Sequence, residues 1–86
     1  MHTVELLDDA LGLAGQLGYR TRQVWLDGRG GGGCEIKGQK WIFLDLSLSA
    51  DEQLDQTLDA LRTDPAVAAA TMSEELRQLL VMRKSA

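Results

Sequence analysis

The chain has 86 residues, 44% of them apolar and 26% charged, with thirteen acids against nine bases and a net charge of −4. A chain of that length makes one domain, residues 1–86, and buries only about 60–65% of its unfolded surface, so its margin of stability is thin without a partner. The acidic balance opposes nucleic acid or an anionic membrane as the main ligand; no apolar run, Trp41–Leu44 included, is long enough to cross a bilayer.

Cys34 is the only cysteine, which excludes an intramolecular disulfide and fits a reducing compartment. Met1–Glu5 shows no basic region ahead of an apolar stretch, so no signal peptide is expected and a cytoplasmic location is.

Residues 3–17 are predicted as an amphipathic helix. Val4, Leu7, Leu11 and Ala14 recur at helical spacing, and Leu6, Leu13 and Leu17 widen the stripe. Glu5, Asp8 and Asp9 lie toward its start, where the helix dipole favours negative charge. Gly12 and Gly15 each cost roughly 1 kcal/mol relative to alanine in a helix interior. They share a face, which is either tolerated or a smooth strip where another backbone approaches. Gly18 suits the left-handed position that ends a helix.

Tyr19–Leu26 is the first predicted strand, rich in β-formers and aromatics. Its facing is open, because Val24 and Leu26 compete with Tyr19 and Trp25 for the core. The stretch Asp27-Gly28-Arg29-Gly30-Gly31-Gly32 then has almost no side chain to bury and reads as a hairpin tip. Gly33–Lys37 is the second strand, Gly38-Gln39 a type II′ turn, and Lys40–Leu46 the third strand. With Lys37 opposite Lys40, Ile36 faces Trp41 and Cys34 faces Phe43, so those four share one side. Glu35, Ile42, Leu44 and Leu46 take the other. The third strand is therefore apolar on both sides. Either it is central with both faces covered, or one face meets another chain.

Ser49-Ala50-Asp51-Glu52 is a capping box that opens a helix with Leu54, Leu58 and Leu61 on one face. Asp55, Gln56 and Asp59 fall toward solvent. Asp64-Pro65 ends the helix and can open a short new turn, with Asp64 as cap and Pro65 first. Pro65–Ala70 is a short helix or a link. A last helix, opened within Thr71–Glu74, runs to about Lys84, with Met72, Leu76, Leu79, Leu80 and Arg83 along one side and Arg83 and Lys84 at its negative end. The expected fold is α+β in two layers, α-β-β-β-α-α, with a three-stranded antiparallel meander packed against helices.

No constellation carries a recognisable chemistry. A phosphate loop needs a lysine, a serine or threonine and a helix after its glycines, and here Cys34-Glu35-Ile36 follows as a strand. His2 and Cys34 are too few for a zinc site, and Cys34 has no histidine in the folded part to activate it, so a buried structural cysteine is expected. No metal, cofactor or catalytic residue is assigned. Asp45, flanked by Leu44 and Leu46, is a ligand-binding candidate set against a turn cap or an arginine partner. Trp25 and Trp41 are a stacking platform or interface anchors. Arg29 stands at the loop tip, where it can meet an anionic partner.

The segments Leu17-Gly18-Tyr19-Arg20-Thr21-Arg22 and Gly31-Gly32-Gly33-Cys34-Glu35-Ile36-Lys37-Gly38-Gln39-Lys40-Trp41-Ile42-Phe43-Leu44 resemble a family of small uncharacterised bacterial proteins. In that family a helix leads to a Leu-Gly-x-x-x-Arg strand, a Gly-Gly-x-Cys hairpin, an apolar strand and a Glu-containing helix. The resemblance implies a fold and no activity. The order of elements is also faintly similar to minimal metallopeptidases and to double-stranded RNA-binding domains. The helix at Gln53–Asp59 lacks both zinc-binding histidines, and Asp51 and Glu52 stand where the RNA binders carry lysines.

The expected function is a small non-catalytic intracellular interaction or regulatory domain, self-associating as a homodimer or docking a protein partner, without nucleic acid, membrane or small-molecule ligand. Arg29, Trp25, Trp41, Ile42, Leu44 and Asp45 are its candidate interface residues. The alternative is a small-molecule-binding or degenerate hydrolase-like domain that uses the sheet face and the glycine loop, with a pocket lined by Trp25, Trp41 and Asp45.

Overall fold

The computed structural model describes residues 2–82 and shows an α+β fold with the expected order of helix, strands and helices. Helix α1 is Thr3–Gln16, and strands β1, β2 and β3 are Tyr19–Val24, Gly32–Ile36 and Gln39–Asp45. Helix α2 is Ala50–Arg62, a 3₁₀ turn spans Pro65–Ala69, and α3, Glu74–Arg77, continues in a wider π-type turn, Gln78–Met82. The capping contribution expected of Arg83 and Lys84 lies outside the described residues. No described helix is long and apolar enough to cross a membrane.

Local signals explain most of these boundaries. Gly18, at φ +97°, ends α1 in the left-handed conformation. The Ser49 side chain accepts the Glu52 N–H while the Glu52 carboxylate accepts the Ser49 N–H, closing the capping box of α2. Asp64 caps the 3₁₀ turn through Ala66 N, with Pro65 at its first position. Gly12 and Gly15 leave open space where a side chain would stand, so no described backbone of this chain uses the smooth strip of α1.

The sheet corrects the expected meander. Its strand order is β1-β3-β2, with β3 parallel to β1 and antiparallel to β2. The glycine-rich segment is thus no hairpin tip. It carries the chain from one side of β3, over the end of that strand, to the other side. Patterning explains why β3 takes the centre. Ile42 and Leu44 on one face and Trp41 and Phe43 on the other make it the strand with most to bury, whereas Arg20–Gln23 of β1 are exposed along an edge.

The β2–β3 turn is Lys37-Gly38, both residues at positive φ (52° and 81°), in place of Gly38-Gln39. Two left-handed residues give the type I′ geometry that matches strand twist. Pairing moves by two residues: Cys34 lies opposite Trp41, Ile36 opposite Gln39 and Gly32 opposite Phe43. A shift of two keeps every side chain on its own face, so the grouping of Cys34 and Ile36 with Trp41 and Phe43 survives.

Among the described residues, all helix–sheet packing falls on the face that carries Ile42 and Leu44. Helix α1 packs on β1, and α2 packs on β2, β3 and α1. The core joins Leu7, Ala10, Leu13 and Ala14 to Ile42, Leu44, Leu54, Leu58 and Leu61, with Val67, Leu76 and Leu80 closing the end. Trp41 and Phe43 belong to neither this cluster nor the partly buried residues packed against it.

Candidate functional site

The uncovered face of the sheet is built from alternate residues of three strands. On β3 it carries Trp41 and Phe43, whose rings lie 11° from parallel with centroids 5.7 Å apart. The i, i+2 spacing of a strand puts both rings on one side, and that offset gives a continuous aromatic surface. From β1, Arg20 stands opposite Trp41 and Arg22 opposite Phe43. The Arg20 guanidinium lies 6.0 Å from the Trp41 ring centroid, at the outer limit of a cation–π contact. From β2 come Cys34 and Ile36, both exposed. The expectation of a buried structural cysteine is overturned: Cys34 is exposed, because glycine-rich β2 forms an edge over which no described element packs on this side.

Asp45 closes the end of β3 and is fully buried. Its carboxylate accepts Leu26 N at 3.0 Å, Gly28 N at 2.6 Å, Ser47 N at 2.9 Å and Ser47 Oγ at 2.7 Å. Burial works to raise its pKa. The hydrogen bonds from the Ser47 hydroxyl and from the backbone of Ser47, Leu26 and Gly28 overcome it and hold the group at about 2. Every oxygen is committed to fixing the crossing segment, so Asp45 is structural. Asp27 and Gly28, at φ 57° and 77°, make the turn above it, closed by Arg29 N on Leu26 O at 3.0 Å.

A second carboxylate works at the opposite end of the sheet. Asp64 accepts Lys40 Nζ at 2.9 Å and the Tyr19 hydroxyl at 3.0 Å. The hydrogen bond from Lys40 is foremost in holding its pKa below the ordinary value. Desolvation first, then the bond to Asp64, pushes the Tyr19 phenol up to about 12. Sequence reasoning missed this junction of β1, β3 and the exit of α2; the lone Asp-Pro pair was its only signal.

The six sequence-derived candidates separate. Ile42 and Leu44 are fully buried under the helices, so the face they occupy is the core and not an interface. Trp41 is on the open face, Trp25 projects beyond the end of β1 at 69% exposure, and Arg29 is exposed in the crossing segment. Trp25, Trp41 and Asp45 do not converge on a pocket. The larger hollow, about 540 Å³, lies between glycine-rich β2 and α2, and a smaller one of about 300 Å³ lies between α1 and α3. Both are wide open, and neither includes those three residues.

The glycines of the crossing segment serve backbone geometry. Gly31, at φ +98°, passes Phe43 O so closely that a Cβ would sit 3.0 Å from it, and a Cβ on Gly33 would sit 2.8 Å from that of Ala60. Among the described residues no three His, Cys, Asp or Glu side chains are grouped to hold a metal ion. No protein-family model matches the chain, and no curated protein or solved structure does.

Proposed function

We propose that the chain is a small non-catalytic interaction domain that docks a partner on the uncovered face of its sheet. The observation that supports this reading is the Trp41–Phe43 pair, which stands outside the core on a sheet whose helices all pack on the other side. Ile36, 47% exposed, extends the apolar area around the two partly exposed rings. Clustered aromatic and aliphatic exposure of this kind marks a contact surface. The reactive side chains are dispersed and committed: His2 contacts Glu75 on the helical layer, Cys34 stands alone on β2, and Asp45 holds backbone.

Cys34 provides the test, because it lies on the face itself and is the only thiol. Its alkylation rate is measured in freshly lysed expressing cells and in the purified chain at equal concentration. Slower labelling in the lysate, restored on purification, is the expected result. Equal rates in both settings, with a monomer in sedimentation, would show that nothing occupies the face.

A further inference from the structure

The charges of this acidic chain are segregated by layer. Of its thirteen acids, only Asp27, Glu35 and Asp45 lie within residues 19–45, which also hold Arg20, Arg22, Arg29, Lys37 and Lys40. Glu35 alternates to the opposite side of the sheet from Cys34, and Asp45 is buried and fully hydrogen-bonded. The strand positions of the uncovered face therefore present Arg20 and Arg22 with no free carboxylate. Arg29 and Lys37 stand at its two ends, in the crossing segment and the β2–β3 turn, with the exposed Asp27 offsetting Arg29 in its segment. Net charge spoke against nucleic acid for the chain as a whole; the local charge of this face is the reverse.

A second copy fits the face poorly. Three strands at about 4.8 Å spacing, with seven residues at about 3.4 Å along β3, give roughly 350 Å² in plan. A stable dimer buries about 800 Å² on each partner. A two-fold contact with its axis across the strands would also bring Arg20 and Arg22 against their own copies, and like charges meeting across a desolvated surface cost affinity.

Resting on the docking reading above, we infer that the occupant is a short single-stranded segment of nucleic acid. Its bases stack on Trp41 and Phe43, and Arg20 and Arg22 take the adjacent phosphates. The four residues supply the two parts such recognition needs: a sequence-tolerant π-surface and cations beside it. A sheet face of this size holds about two or three bases. The acidic helical layer sets the limit, since a strand that runs past the sheet edge meets repulsion. Affinity should therefore not rise with oligomer length beyond the face.

The test is a fluorescence anisotropy titration of the full chain against labelled mixed-sequence 6-mers and 20-mers, as DNA and as RNA, with a duplex as control. Trp25→Phe leaves Trp41 as the sole tryptophan, and its quenching reports stacking. Expected are binding to both single strands in preference to duplex, no gain from 6-mer to 20-mer, and a log–log salt slope of about −1.4 for two phosphate contacts. Trp41→Ala or Phe43→Ala should weaken binding roughly tenfold. The Arg20→Gln/Arg22→Gln pair, at exposed positions, should keep the fold by circular dichroism and bring the slope near zero.

Absence of binding at millimolar chain, or binding indifferent to these substitutions, overturns the inference. The Cys34 footprint separates this failure from that of the docking reading. Protection lost on nuclease treatment of the lysate supports a nucleic acid occupant. Protection that survives nuclease leaves the docking reading standing and assigns the face to another protein; equal labelling in both settings, with a dimer in sedimentation that Trp41→Lys dissociates, assigns it to a second copy.

Discussion

The Asp45 carboxylate and the Gly28 amide, seventeen residues apart in the chain, meet at 2.6 Å. This contact pins the crossing segment over the end of β3. With the segment held there, β1 and β2 lie on opposite sides of β3. The aromatic pair of β3 is thereby placed in the middle of the open face and not at its margin.

Asp45→Ala leaves the Leu26, Gly28 and Ser47 amides without their acceptor in a closed site, which is among the more destabilising single changes available. A fall in Tm of roughly 10 °C or more is expected by calorimetry for a domain of this size. A change of only a degree or two would show that the crossing segment holds itself.

Stability should depend on pH at both extremes. Asp45 is depressed from 3.8 to about 2 in the folded chain, so its contribution is complete above pH 4 and is lost as pH falls toward 2. Asp64 is shifted the same way and adds to that acid limb. Tyr19 is raised from 10.0 to about 12, so its contribution is complete below pH 10 and is lost as pH rises toward 12. Urea midpoints across the pH range should show a plateau between these limits. Asp45→Asn should flatten part of the acid limb, and Tyr19→Phe should remove the Tyr19 part of the alkaline limb.

The two sides of β3 should respond differently to truncation. Leu44→Ala removes a fully buried side chain from the core and should cost about 2–5 kcal/mol. Phe43→Ala removes a ring that stands outside the core and should cost about 1 kcal/mol. Chemical denaturation measures both, and equal losses would mean that both faces are covered in the free chain.

Four glycines should divide by their surroundings. Gly12→Ala and Gly15→Ala meet open space on an exposed helix face and should each stabilise by about 0.5–1 kcal/mol. Gly33→Ala meets Ala60 and Gly31→Ala meets the Phe43 carbonyl from a left-handed backbone, and both should destabilise. Thermal unfolding of the four variants gives the signs directly.

Features governed by short-range chemistry were legible in the residues alone. Apolar spacing placed α1 and α2, Ser49 and Glu52 opened α2, Gly18 closed α1, Asp64-Pro65 set the break, and the period of two assigned Trp41 and Ile42 to opposite faces. Those signals act within a few residues and need no knowledge of the rest of the chain.

Strand order, the parallel pairing of β1 with β3, and the burial of Ile42 and Leu44 were decided only in three dimensions. Each depends on which side the helices choose and on where a flexible glycine segment is anchored. Alternation in β3 is symmetric between Trp41/Phe43 and Ile42/Leu44, so periodicity cannot say which pair is covered. Asp45 breaks the symmetry of the loop, and helices α1 and α2 break that of the faces. Both do so through contacts between residues far apart in sequence, which is why tertiary packing had to supply the answer.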